Sequence, residues 1–158
     1  MYDHIDSDTF FFLLLDIARM LRAEFEHGVN KAELEITPSE ARTLVNIARF
    51  GPLGQNDLAD MSGFGAMSAT RMLKNLEDAG LISRSTNPND RRVKMVQIDD
   101  KAAPLLAKLA DISDEVKGVT RGSIPSQNWR AFENLLKVVR DNHLAAYHAK
   151  NLKEIEPK

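Results

Sequence analysis

At Gly80 the spacing of the apolar residues changes, and this change limits the possible folds more than any other feature of the 158-residue chain. Before it, Ala69, Met72, Leu73 and Leu76 recur at helical intervals in a stretch running from Ala66 to Ala79. After it, Leu81–Ser85 and Val93–Ile98 read as short strands on either side of Asn87-Pro88-Asn89-Asp90-Arg91-Arg92, where Pro, Asn and Asp are turn formers. A shorter helical segment, Gly54–Met61, precedes the first stretch, with Ser62-Gly63-Phe64-Gly65 between them. Two short helices joined by a glycine-containing turn satisfy a helix-turn-helix. Ala59 and Ala69 are small where two helices would cross, and Gly63 can take a positive φ in the turn. Ser68, Thr70, Arg71, Lys74 and Asn75 are then left for solvent or a partner. A plain helical hairpin with a polar outer face gives the same pattern. Two strands with a basic tip following it make a winged helix, which is far more specific than either half.

The flanks are helical. From Asp8 to about His27, Phe10, Phe11, Leu13, Leu14, Ile17, Ala18, Met20, Leu21 and Phe25 share an arc of about half the circumference, wider than a surface helix needs. Either a central core helix or a shared dimer interface would use so broad a face. Thr37-Pro38-Ser39-Glu40 predicts a helix start with a capping box. Leu44, Val45, Ile47 and Ala48 carry the apolar side of that helix, and Gly51-Pro52 ends it. Asp99 or Asp100 can cap a helix to about Val119, with Pro104 delaying or bending its first turn. A last helix starts near Pro125 and carries Trp129, Phe132, Leu136, Val139 and Leu144. The expected fold class is mainly α with a small β-hairpin wing, in a single domain over residues 1–158.

Composition removes whole classes of chemistry. With no cysteine, disulfide scaffolds, thiol nucleophiles and cysteine zinc sites are excluded. His143 and His148 stand five apart, which does not align two ligands on one helical face, so no metal is expected. Gly63-Phe64-Gly65 lacks the strand and third glycine of a dinucleotide fingerprint, and no nucleophile elbow or phosphate loop occurs. No catalytic residue, enzyme activity or cofactor is expected. The opening residues are acidic, unlike a secretory leader, and the apolar run Phe10–Leu15 is far too short to span a bilayer, so the expectation is a soluble cytoplasmic protein. The net charge of −2 conceals an uneven distribution: residues 1–40 hold 9 acidic and 3 basic side chains, whereas residues 65–97 hold 6 basic and 3 acidic. A nucleic-acid surface needs such local positive potential rather than a basic whole.

From Leu58 to Ile98 the chain resembles the MarR family of bacterial transcription regulators. The likeness runs through Leu58-Ala59, Leu76-Glu77-Asp78-Ala79-Gly80-Leu81-Ile82 and Asn87-Pro88-Asn89-Asp90-Arg91-Arg92, with 16 residues between the Leu-Ala and Leu-Glu pairs as in the family. Two departures stand out. Ile98-Asp99-Asp100-Lys101-Ala102 replaces the usual Leu-Thr-x-x-Gly, and Ala66 replaces a proline common near the start of the second helix.

The resemblance implies a homodimer built from residues 8–36 and 99–150, carrying winged helix-turn-helix lobes over residues 37–98. It implies that Ser68, Thr70, Arg71 and Lys74 enter the major groove of double-stranded DNA. At the wing, Arg92 would reach the minor groove, braced by Asp90 and beside Arg91. The chemistry of the residues agrees. Arg71 can pair bidentately with guanine, Ser68 and Thr70 can read either edge, and Lys74, Arg84 and Gln55 suit phosphates. A small aromatic or phenolic effector is also implied, with Phe11, Leu15, Arg42 and Asn46 as an apolar wall plus polar groups for an anion. The expected function is a sequence-specific repressor released by that ligand. The alternative is a winged-helix module for protein–protein contact that never reads DNA.

Overall fold

In the computed structural model, which describes residues 6, 8–62 and 65–155, α1 spans Phe10–Lys31 and α2 spans Pro38–Phe50. The start of α2 is the capping box its sequence predicts. Thr37 Oγ1 accepts the Glu40 N–H at 3.2 Å, and Glu40 Oε2 accepts the Thr37 N–H at 2.9 Å. Gly51 closes the helix with φ of 77°, a left-handed value that costs an L side chain about 1–2 kcal/mol. Leu44 and Ile47 are fully buried along α2 and Val45 is half-buried, whereas Ala48, expected beside them, is exposed.

Next come β1 (Leu53–Gly54), α3 (Gln55–Ser62) and α4 (Ala66–Asp78). The turn expected at Gly63 lies outside the described residues. The end of α4 is a Schellman motif. The Leu81 N–H reaches the Leu76 carbonyl at 2.9 Å and the Gly80 N–H reaches that of Glu77 at 2.8 Å, with Gly80 at φ 74°. Leu76 and Leu81 are both in the core, so the reversal that changes the period at Gly80 is tied down by its flanking leucines. Lys101 Nζ adds a bond to the Ala79 carbonyl at 2.7 Å.

The strands β2 (Ile82–Thr86) and β3 (Lys94–Ile98) form the expected antiparallel hairpin, with Ile82 opposite Ile98 and Thr86 opposite Lys94. The sheet has a third member that the sequence pattern does not announce. β1 pairs with the outer side of β3, Leu53 opposite Val96, in the order β1-β3-β2. Two residues are too few to show a period of two, so β1 is visible only through its partner.

A 3₁₀ turn, Asp100–Ala102, leads into α5 (Ala103–Arg121), and α6 spans Ser126–Ile155. Of the two aspartates expected to cap, Asp99 stands at the N-cap of the 3₁₀ turn. Asp99 makes no side-chain capping bond, because its Oδ1 accepts from Ser83 Oγ at 2.9 Å. Pro104 falls in the first turn of α5, where the missing N–H has no helical acceptor to lose.

Two compact units result, Met1–Lys117 and Gly118–Lys158. In the first, Val29, Leu44, Ile47, Leu58, Leu73, Leu76, Ile82, Val96, Leu109 and Ile112 form a continuous core. Gly28 explains itself there: a Cβ at this position would meet Ile112 Cγ2 at 2.6 Å, so α1 and α5 approach through a glycine. The broad arc of α1 stays largely uncovered in the single chain, with Phe10, Phe11, Leu13, Met20 and Leu21 exposed. In the second unit Trp129 is buried and stacks at a tilt on Phe132, 5.5 Å between centroids. No helix among the described residues is long and apolar enough to cross a membrane.

Candidate nucleic-acid interface

The helical period of α4 sorts its side chains into two sides. Ala69, Leu73 and Leu76 are buried and Met72 is half-buried, while Ser68, Thr70, Arg71 and Lys74 are exposed. Two hydrogen bonds fix this outer side to its neighbours. Gln55 Nε2, at the start of α3, donates to Thr70 Oγ1 at 3.4 Å, bringing together two predicted site residues. Asn75, exposed as expected, also donates to Glu40 Oε1 at 2.8 Å and ties α4 to the cap of α2.

Glu40 is almost wholly buried. Burial pushes its pKa up, but the Thr37 N–H, the Asn75 amide, the Thr37 hydroxyl and the nearby Arg71 charge together hold it below its ordinary value. Arg71 thus stands next to a structural carboxylate while remaining exposed itself.

The remaining predicted cations differ in what they touch. Lys74 pairs with Asp78 at 2.6 Å on the helix surface, both largely exposed. Such a pair is worth under about 1 kcal/mol and opens readily. Arg84 is committed more firmly. Its Nε donates to Glu77 Oε2 at 2.9 Å and its Nη2 to the same oxygen, pinning β2 to the last turn of α4. Arg84's hydrogen bonds hold the Glu77 carboxyl below its ordinary range, and the carboxylate raises the guanidinium in return. Arg84 is therefore a brace within the fold before it is a surface charge.

Arg92 sits at the tip of the wing with its side chain almost fully exposed. The tip is shaped by aspartate and asparagine chemistry. Asn87 Oδ1 accepts the Asn89 N–H at 2.8 Å, and Asp90 Oδ1 accepts the Arg92 N–H at 3.0 Å. Asp90 also takes Arg92 Nε and Nη2 on its two oxygens, both at 3.0 Å, a bidentate form of the brace that the resemblance implies. This contact lowers the Asp90 pKa and raises that of Arg92. Arg91 beside it is exposed.

Because β1 pairs with β3, the start of α3 lies against the wing. Gly54, Gln55, Asn56 and Asp57 from one side and Arg92, Val93 and Lys94 from the other line a cavity of about 270 Å³. Lys94 Nζ donates to Thr86 Oγ1 at 2.9 Å across the hairpin. The placement of Lys94 beside Gln55 was beyond reach of the sequence, since it depends on the third strand.

The effector candidates are less gathered. Arg42 and Asn46 are half-buried on α2, and Arg42 Nη1 donates to Glu26 Oε1 of α1. Phe11 and Leu15 are exposed near the start of α1. Leu15 lies eleven residues before Glu26, about 16 Å along the helix, more than one aromatic ring spans. Among the described residues, no group of three or more His, Cys, Asp or Glu is arranged to hold a metal.

Residues 36–94 match the model described as MarR family. Among solved structures, a probable transcriptional regulator from Pseudomonas aeruginosa is 25% identical, with 84% of this chain and 98% of that one covered and a TM-score of 0.61. Wild-type apo MarR from E. coli is 18% identical over 85% of this chain and 98% of its own, with a TM-score of 0.69. BpsR of Bordetella bronchiseptica, whose DNA binding is regulated by 6-hydroxynicotinic acid, is 18% identical over 87% and 97%, with a TM-score of 0.65. The family match runs from just before the capping box of α2 to the first residue of β3, and the likeness of fold extends over most of the chain. The winged-helix segment of residues 36–94 thus matches the MarR family, and most of the chain shares the fold of MarR.

Proposed function

We propose that the protein is a homodimeric, sequence-selective binder of double-stranded DNA that represses transcription until a small aromatic or lipophilic anion releases it. The observation that carries this reading is a polar helix face, with Arg71 and Lys74, together with an exposed Arg92 paired with Asp90. Arg71 would read guanine, and Ser68 and Thr70 base edges or phosphate. Arg92 would enter the minor groove, where an arginine senses width and A·T richness. Gln55, Lys74 and Arg91 would meet phosphates, and Arg84 would join them only by leaving Glu77. The exposed apolar arc of α1 supports a second copy as its cover.

The regulation of BpsR by an aromatic carboxylate supports the ligand class. Arg42 and Asn46 would hold the anionic end, and Phe11 and Leu15 would take part as an apolar wall at a more distant level of α1. The test is selection from random duplexes, repeated with phenolic and carboxylate compounds. The expected product is an inverted repeat with half-sites about one helical turn apart, lost on addition of at least one compound. Enrichment of no sequence contradicts the reading and leaves protein–protein contact as the use of the lobe.

A further inference from the structure

Neither the core nor the charge pattern accounts for Met67. It is the second residue of α4 and is 89% exposed. A helix lying in the major groove presents the side chains of its N-terminal turns to base edges. At about 100° per residue, Lys74 lies about 20° from Met67 around the helix, Arg71 about 40° and Thr70 about 60°. The four form one stripe, headed by the methionine, while Leu73 and Leu76 are buried on the far side.

A single exposed methionine is ordinary on a protein surface, so exposure alone assigns nothing. Its position does. The other members of the stripe are a hydroxyl, a guanidinium and an ammonium, which suit hydrogen-bonding edges and phosphates. The major groove also carries one apolar feature, the C5 methyl of thymine, which offers no hydrogen bond. An unbranched thioether reaches further than alanine or threonine and adapts its rotamers to such a group.

Resting on the DNA-binding reading above, we propose that Met67 is a specificity-determining residue that packs on a thymine methyl beside the base pair read by Arg71. Side chains one turn apart start about 5–6 Å from each other, and successive nucleotides rise about 3.4 Å, so this thymine lies one or two steps from the guanine.

The experiment takes a duplex selected by the full-length protein and replaces each thymine in turn with deoxyuracil, which keeps the pairing and removes only the methyl. One thymine per half-site, one or two steps from a guanine, is expected to lose about fourfold in affinity on replacement, the worth of one buried methyl group. Met67→Ala is expected to bind the thymine and uracil duplexes equally while keeping its preference for the guanine. Three outcomes overturn the proposal while leaving selective DNA binding intact: indifference of the wild type to every replacement, unchanged methyl sensitivity in Met67→Ala, or a selected half-site without thymine. A pool from which nothing is enriched brings down both readings.

Discussion

Glu40 has both carboxylate oxygens engaged: one accepts from the Thr37 N–H and hydroxyl, the other from Asn75 of α4. The cap of α2 was legible in the sequence because Thr37, Pro38 and Glu40 are neighbours whose chemistry is complete within one turn. The bond to Asn75 was not, since it joins residues 35 positions apart whose meeting depends on how α2 and α4 pack. The consequence is a pH dependence. Burial raises the Glu40 pKa, but its hydrogen bonds and the Arg71 charge outweigh this and leave it below 4.5. A carboxyl depressed on folding contributes stability above its unfolded pKa and loses it as pH falls through the folded one. Glu40→Gln is therefore expected to lower stability at neutral pH by about 1–2 kcal/mol, at about 2–4 °C in Tm for each kcal/mol. The gap to wild type should narrow as pH drops below about 4.5. A gap that stays constant in thermal melts as the pH is taken well below that value would contradict this role.

Among the elements, the wing shows why two arginines in one hairpin have different parts. Arg84 lies in β2 and folds back onto Glu77, whereas Arg92 lies in the turn and is held outward by Asp90. The turn was legible, because Asn87, Asp90 and the prolyl residue between them act within a few positions. The destination of Arg84 was not, because α4 and β2 must first reverse at Gly80. Arg84→Ala is expected to cost stability of up to about 1 kcal/mol, discounted for the partial exposure of the pair. It should leave the salt dependence of DNA binding nearly unchanged. Arg92→Ala should do the reverse: an unchanged melt, weaker binding, a salt slope reduced by about one and less preference for A·T-rich flanks. Melts and salt titrations of the two variants separate these roles, and an exchanged pattern would overturn the assignment. The exposed stripe of α4 was half-read: its polar members follow from the helical period, but Met67, at the head of the same stripe, carries no charge to draw notice.

For the molecule as a whole, the apolar arc of α1 is the feature that a single chain leaves unanswered. Its residues are legible at helical spacing, and the core reading and the interface reading predict the same spacing. In the single chain Phe10, Phe11, Leu13, Met20 and Leu21 remain exposed although Val29, near the other end of the helix, is buried. A second copy covering that face would hold two winged helices at one fixed separation, which is what an inverted repeat requires. Sedimentation equilibrium of the full chain, alone and with a selected duplex, measures this most directly. The account predicts a species of twice the 17.7 kDa chain mass at micromolar concentration, and two chains on each duplex. A stable single chain that binds a duplex one to one, or does not bind at all, would contradict it.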